Sequence, residues 1–456
     1  ASRRLAKMDG MMTPEEFSLK TSRNFAKSLE RTQYYSADRM QAYQRKLLEP
    51  LLRHARKEVP FYQTRLSPLF DNNDAVQWDA WKDIPTFTRK DAHEAGDGLF
   101  AKDYPVQMGK PIEGHSSGST STPFKYRTNG TMSIMSSAIG ERLFDWYHIN
   151  KSGKIAFILD TLDLFPYPQG GIGHEWNLED REAEAFHLSV TESMENKLQW
   201  LLRIQADYLV TYPAIGGSLA ELAIRKGHDV PFKGFFSQGE VLTKEARDKL
   251  EIEHGVTVFD RYGSSEICPI SAQCPEVPGH HHQFAEVCMT ETLELNRDDP
   301  IANGRGRLIV TPFYNYAMPL IRYENQDQVE VTDHPCSCGR TLPVIQRILG
   351  RERNVFIYED GSRSWPFLNI REMERFLPAY QMQVIQKTYR DIDFLFVRNS
   401  ELTQFDPDGL QTFMRERLHS SINLKVIEVD EIPRSRSGKF EAWISLVSSE
   451  KTATNS

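Results

Sequence analysis

The stretch from residue 196 to residue 260 leaves few folds open. It reads as helix 196–205, strand 207–211, helix 216–227, strand 233–236, helix 243–254 and strand 256–260. Strands alternating with helices predict a parallel sheet covered on both faces. Ligands of such sheets sit beyond the carboxyl ends of the strands. Two polar motifs fall at those ends: Ser237-Gln238-Gly239-Glu240, and Tyr262-Gly263-Ser264-Ser265-Glu266.

The flanking regions build on this centre. Residues 1 to about 60 read as mostly helix, with Leu47, Leu48, Leu51, Leu52 and Ala55 at helical spacing and a stop before Pro60. Residues 83–91 read as a loop that caps a helix, 131–148 as a helix and 154–159 as a buried strand. Gly170-Gly171-Ile172-Gly173 lies in a turn-rich part and follows no clear strand, so a dinucleotide fingerprint is not expected. Residues 284–349 look mostly β, with the clearest strands at 307–310 and 328–331. After Gly350 the order is β, helix, β, helix, β, with turns at Pro378 and Asp406-Pro407-Asp408-Gly409. The expected class is α/β. A large N-terminal domain, 1–350, has parallel or mixed sheets flanked by helices and a β-rich part at about 265–349. A small mobile α+β domain follows at 351–456.

At 456 residues the chain can bury a full core in two or three domains. Its net charge of −8 argues against general nucleic-acid binding. No apolar run approaches the roughly 18 residues of a membrane span. The N-terminus is polar, without a signal-peptide core, so a cytoplasmic location and no membrane partner are expected.

Between the first helices and the alternating region lies Ser116-Ser117-Gly118-Ser119-Thr120-Ser121-Thr122-Pro123. Gly118 permits a tight turn, and hydroxyls and amides can point to one side, which suits polyphosphate oxygens. A Walker loop would need a closing Gly-Lys-Ser/Thr, which is absent. Gly114-His115-Ser116-Ser117-Gly118 also fits a serine-hydrolase elbow, with Ser116 as nucleophile, but such an elbow runs straight into a helix. Here more polar residues and Pro123 follow.

Six motifs occur in order: residues 116–123, Gly239-Glu240, residues 262–266, residues 322–327, Gly350-Arg351 and Arg436-Ser437-Gly438-Lys439. Together they resemble the adenylate-forming acyl-CoA synthetase superfamily, most closely its phenylacetate–CoA ligase branch, with its capsular-polysaccharide (CapK-like) and coenzyme F390 synthetase-like relatives. The resemblance covers nearly the whole chain. It implies ATP-dependent activation of a small carboxylic acid as an acyl-adenylate, with pyrophosphate release. Transfer to CoA would follow, or to an amine or a carrier-protein thiol. A nucleotide-binding scaffold without turnover is a further alternative. The resemblance places the β- and γ-phosphates on Ser116, Ser117, Ser119 and Thr120, Mg²⁺ on Glu266 and the α-phosphate on Ser265. It stacks adenine on Tyr262, beside Gly263, and covers it with Gly239-Glu240. Asp327, helped by Arg351, takes the ribose hydroxyls. Lys439 neutralises charge near the α-phosphate and the acid. Three positions depart from the usual pattern: Ser121-Thr122 replaces Gly-Lys, Glu324-Asn325-Gln326-Asp327 replaces Arg-Thr-Gly-Asp, and Arg353 stands in the hinge.

Phe157, Phe165, Tyr167, Trp176, Tyr212 and Phe236 could line a pocket for an aryl acid. Five cysteines, at 268, 274, 288, 336 and 338, suit metal or free thiols better than a disulfide frame. Cys274, Cys336 and Cys338 with one histidine suit a structural Zn²⁺. Comparable clusters occur in the same branch, and alignment on Gly279 selects His281, with His280 and His282 as alternates.

Overall fold

The computed structural model describes residues 14–115, 125–159, 164–174, 176–242, 244–351, 355–364, 373, 375–399, 402–432 and 440–447. Its main feature is a 13-stranded mixed sheet. One half is parallel, in the order Ala185–Ser189, Ile155–Leu159, Tyr208–Thr211, Gly234–Ser237, Thr257–Ser264. The inner strands Ile155–Leu159, Tyr208–Thr211 and Gly234–Ser237 are mostly apolar, as a doubly covered sheet requires. Helices Met194–Ile204 and Pro213–Arg225 cover one face, packing Leu198, Leu201 and Leu219 against Leu209, Phe235 and Val258. Gly216 lets the second helix approach closely, since a Cβ there would run into the Phe235 ring. Phe144 and Tyr147, at the end of the Gly130–Trp146 helix, cover the other face over Phe236 and Phe259.

Thr257–Ser264 is the seam of the sheet. It pairs in parallel with Gly234–Ser237 and antiparallel with Cys268–Gln273. Beyond it the strands His281–Gln283, Val344–Arg351, Tyr323–Thr332, Gly304–Pro312 and Cys288–Leu293 continue antiparallel. The helices Pro14–Thr32 and Ala37–Glu58 pack on this half through Leu29, Leu48, Leu52 and Ala55. Thr88 and Asp91 form a capping box for helix Arg89–Ala95, in keeping with the reading of residues 83–91.

The C-terminal part has its own core of Phe356, Val384, Phe394, Leu410 and Met414. Its four-stranded sheet runs Asn423–Glu428, Asp391–Arg398, Ala379–Gln386, Trp443–Ser445. Two local expectations change. Asp406-Pro407-Asp408-Gly409 starts the helix Pro407–Arg417: Asp406 accepts from the Gly409 amide, and Pro407 fills the first turn, where no amide is needed. Gly171–Gly173 is an antiparallel edge strand against Ala185–Ser189. The expected helix–strand alternation is also broken, because Ala379–Gln386 and Asp391–Arg398 are joined directly as an antiparallel pair.

Candidate active site and cysteine–histidine cluster

Residues 116–124, with the proposed phosphate ligands Ser116, Ser117, Gly118, Ser119 and Thr120, lie outside the described residues, as does Lys439. Their flanks are informative. Pro111–His115 and Lys125–Asn129 form an antiparallel hairpin, with His115 opposite Lys125. A nucleophile elbow joins a strand to a helix. Here the strand before Ser116 is paired with the strand that follows the loop, which removes the basis for a serine hydrolase.

The two polar motifs meet at the end of the parallel strands. Gly239 takes φ +77°, a left-handed conformation that glycine adopts freely. Glu240 accepts from the Ala214 amide at 3.3 Å, at the start of helix Pro213–Arg225. Its other oxygen accepts from the backbone amide of Phe440, at 2.5 Å. The residue next to Lys439 is thereby tied to the Gly239-Glu240 motif.

On the seam strand, the Tyr262 hydroxyl donates to Asp327 at 2.5 Å. Asn325 donates to both, at 2.7 Å to Tyr262 and 2.9 Å to Asp327. Asp327 stands opposite Arg351 in the ladder. Two motifs that are far apart in sequence therefore share one small polar cluster. Between Asn325 and Asp327, Gln326 takes φ +67°. Ser265 is exposed, whereas Glu266 is buried in the turn joining Thr257–Ser264 to Cys268–Gln273, with the Tyr323 hydroxyl 3.4 Å away. Asn325 carries no motif signal of its own; the departure from Arg-Thr-Gly-Asp was the only hint.

Below this rim a cavity of about 290 Å³ opens between helix Gly130–Trp146 and the parallel strands. Phe144, Phe157, Trp176, Val210 and Phe236 line it, with Glu141 and Arg261 as its charged groups. Three of the six expected aromatics are here. The other three are elsewhere: Phe165 packs toward His187, while Tyr167 and Tyr212 join the core on the opposite face. Arg261 was not anticipated. Its position directly before Tyr262, on the other face of the strand, could have indicated it. Behind the rim, Asp260 accepts from Ser237 at 2.5 Å and faces His281 and Arg247 at 3.3 and 3.5 Å. Burial pushes this carboxyl up, but these partners outweigh it and hold the group below the usual carboxylate range.

Cys274, His282, Cys336 and Cys338 offer ligand atoms that all lie within 4.8 Å of one another. Cys274 and Cys336 sulfurs are 3.9 Å apart, and Cys338 lies 3.2 Å from His282 Nε2. Sulfurs bound tetrahedrally at about 2.3 Å from one zinc would stand about 3.8 Å apart, so the pocket is the right size. Burial pushes the Cys274 thiol up to about 12, and it pushes the His282 imidazole down to about 4, with Arg340 adding to the latter. The histidine is His282, not His281. Neighbouring residues of a strand point to opposite faces, so in His281–Gln283 the first side chain turns toward Asp260 and the second toward the thiols.

No model of a known protein family matches the chain. Among curated proteins it is 24% identical over 429 residues to phenylacetate–coenzyme A ligase of Escherichia coli, covering 88% of this chain and 93% of the relative. The Thermus thermophilus ligase of the same name is 24% identical over 415 residues, with 86% of each covered. Protein CapK of Staphylococcus aureus is 24% identical over 257 residues, 54% of this chain and 55% of CapK. Among solved structures, 2-hydroxyisobutyryl-CoA ligase in the postadenylation state, in complex with 2-HIB-AMP, overlays with a TM-score of 0.70 at 16% identity. That match covers 91% of this chain and 90% of the ligase. In its thioesterification state the same ligase gives 0.58.

Proposed function

We propose that this chain, a member of the phenylacetate–CoA ligase and CapK-like branch of the adenylate-forming superfamily, is an AMP-forming acid–CoA ligase. One observation carries the reading: Gly239-Glu240 and Tyr262, which holds Asp327, follow the paired ends of two parallel strands whose Phe236 and Arg261 line a cavity with aromatic walls. The polar rim suits a nucleotide and the cavity suits an acyl group.

A free carboxylate has no leaving group. Its oxygen attacks the α-phosphorus of ATP, the bond to the β-phosphate oxygen breaks, and pyrophosphate departs. The thiol of CoA then attacks the acyl carbon of the adenylate and AMP leaves. Positioning and charge neutralisation dominate such chemistry. In our reading the ribose hydroxyls donate to Asp327, which Asn325 and the Tyr262 hydroxyl hold in place. Arg351 assists from the opposite strand, while the Tyr262 ring supports adenine and Gly239-Glu240 covers it. Ser265 reaches the α-phosphate, and residues 116–120 take the outer phosphates. Glu266 supplies carboxylate oxygen for Mg²⁺, which would offset phosphate charge.

Residues 351–456 act as a lid that carries Lys439. The Phe440–Glu240 hydrogen bond supports a closure that brings this lysine to the phosphates. Cys274, His282, Cys336 and Cys338 would hold a structural Zn²⁺; four protein ligands leave no open position for catalysis. The chain has no helix long and apolar enough to cross a membrane among the described residues.

The test is pyrophosphate release across a panel of carboxylic acids, followed by mass-spectrometric detection of the CoA thioester. Tight ATP binding with no release from any acid would instead make the protein a nucleotide-binding scaffold.

A further inference from the structure

The cavity wall carries a group that an acid with a purely hydrocarbon body would not need. Arg261 lines it among Phe144, Phe157, Trp176 and Phe236. Its guanidinium donates to the amide oxygen of Gln238 at 2.7 Å. The side chain is half-buried, and burial lowers its ionisation; among the described residues no ion pair to it is found. Glu141, the other charged residue of the wall, is already satisfied. One of its oxygens pairs with Lys151 and the other accepts from the Leu178 amide at 2.8 Å. Among the described residues, the cation on this cavity wall therefore has no counter-ion. Burying a cation beside a neutral amide alone is costly. An anionic oxygen group arriving with the ligand would remove that cost, since the planar fork can make two parallel hydrogen bonds to it.

The carboxylate under attack is a poor candidate for that partner. It gives up its charge as its oxygen bonds to phosphorus. An ion pair to it would be strongest in the ground state, which raises the barrier. A second acidic group keeps its charge throughout. Space is available, because 290 Å³ is about twice the roughly 150 Å³ that encloses one benzene.

We propose that the acid activated here is an aryl acid with a second anionic oxygen group, and that this group pairs with Arg261 while the ring fills the aromatic part of the cavity. The inference rests on the acid–CoA ligase reading above.

Phenylacetate and 3-carboxyphenylacetate differ only in that second group. Pyrophosphate release with ATP, and calorimetric binding without it, are measured for both acids in the wild type, Arg261→Met and Arg261→Lys. The wild type should favour the diacid in kcat/KM by about tenfold or more. Arg261→Met should lose about tenfold to a hundredfold on the diacid, while gaining severalfold on phenylacetate as the wall becomes apolar. Arg261→Lys should keep part of the preference. A wild type that favours phenylacetate overturns the proposal. So does an Arg261→Met variant that loses both acids equally, since Arg261 would then hold the reacting carboxylate. Binding separates the two readings. Arg261-dependent diacid binding, with no pyrophosphate release from any acid, would defeat the ligase and keep the site. Release with no Arg261-dependent preference would defeat the site and keep the ligase.

Discussion

The parallel and antiparallel halves of the main sheet share one strand but are built for different work. In the parallel half the strands end together and leave a rim over a cavity. Its rim groups Glu240, Tyr262 and Asp327 are hydrogen-bonded within the protein, and in the proposed function they exchange or share these bonds with a nucleotide. In the antiparallel half the strands fold back on one another, and Cys274, His282, Cys336 and Cys338 close on themselves. In the proposed function the first arrangement takes a ligand that leaves at each turnover, and the second a metal that stays. Substitutions at the rim should therefore cost turnover and spare the fold. Substitutions in the cluster should cost the fold and spare turnover per folded molecule.

The largest effect should come from Lys439→Ala. It should slow adenylate formation by about a hundredfold or more, equivalent to about 2.7 kcal/mol in the barrier. Transfer from a pre-made acyl-adenylate to CoA should change far less, because in the proposed function the lid brings this lysine to the phosphates for the first step only. Assaying the half-reactions separately checks this; equal losses would mean that the lysine acts through folding.

Glu266→Gln should follow, with adenylation reduced by about tenfold or more and an unchanged circular dichroism spectrum. Near-normal pyrophosphate release would remove Glu266 from the magnesium role. Cys338→Ala tests the other half. Untagged wild-type protein should contain one zinc per chain by elemental analysis. The variant should lose it and melt several degrees lower, with turnover per folded molecule nearly kept. A metal-free preparation that is equally stable would erase the contrast between the halves.

The smallest effect belongs to Gln326→Gly. Glycine relieves the left-handed backbone at φ +67° but loosens the unfolded chain. The two effects oppose each other, so net stability in urea should shift by less than about 1 kcal/mol. A larger loss would show that the Gln326 side chain takes part in the rim.

The sequence was most legible where local pattern decides structure. The alternation after residue 196 is visible because each strand and helix signals its own period. The rim motifs were legible too, since Gly239-Glu240 and residues 262–266 sit just beyond apolar strands. What could not be read was register. Nothing local tells that Asp327 will face Arg351 across a ladder, or that Asn325 will reach the Tyr262 hydroxyl. Choosing His282 over His281 needed the parity of a three-residue strand, and a shift of one residue reverses which face each side chain meets. Arg261 stayed hidden for a related reason. It sits next to a recognisable motif but on the opposite face, and a motif describes only one face.

The link between Phe440 and Glu240 carries a consequence for how the proposed lid could be studied. Its donor is a peptide amide, so every residue but proline supplies it. Scanning position 440 with alanine would leave this latch untouched and suggest that nothing holds the lid there. Phe440→Pro would unfasten it. A single bond to a carboxylate contributes about 1.5–3 kcal/mol. That is strong enough to bias the resting position of the lid, yet weak enough to release at every turnover. The latch would be a detent, not a lock.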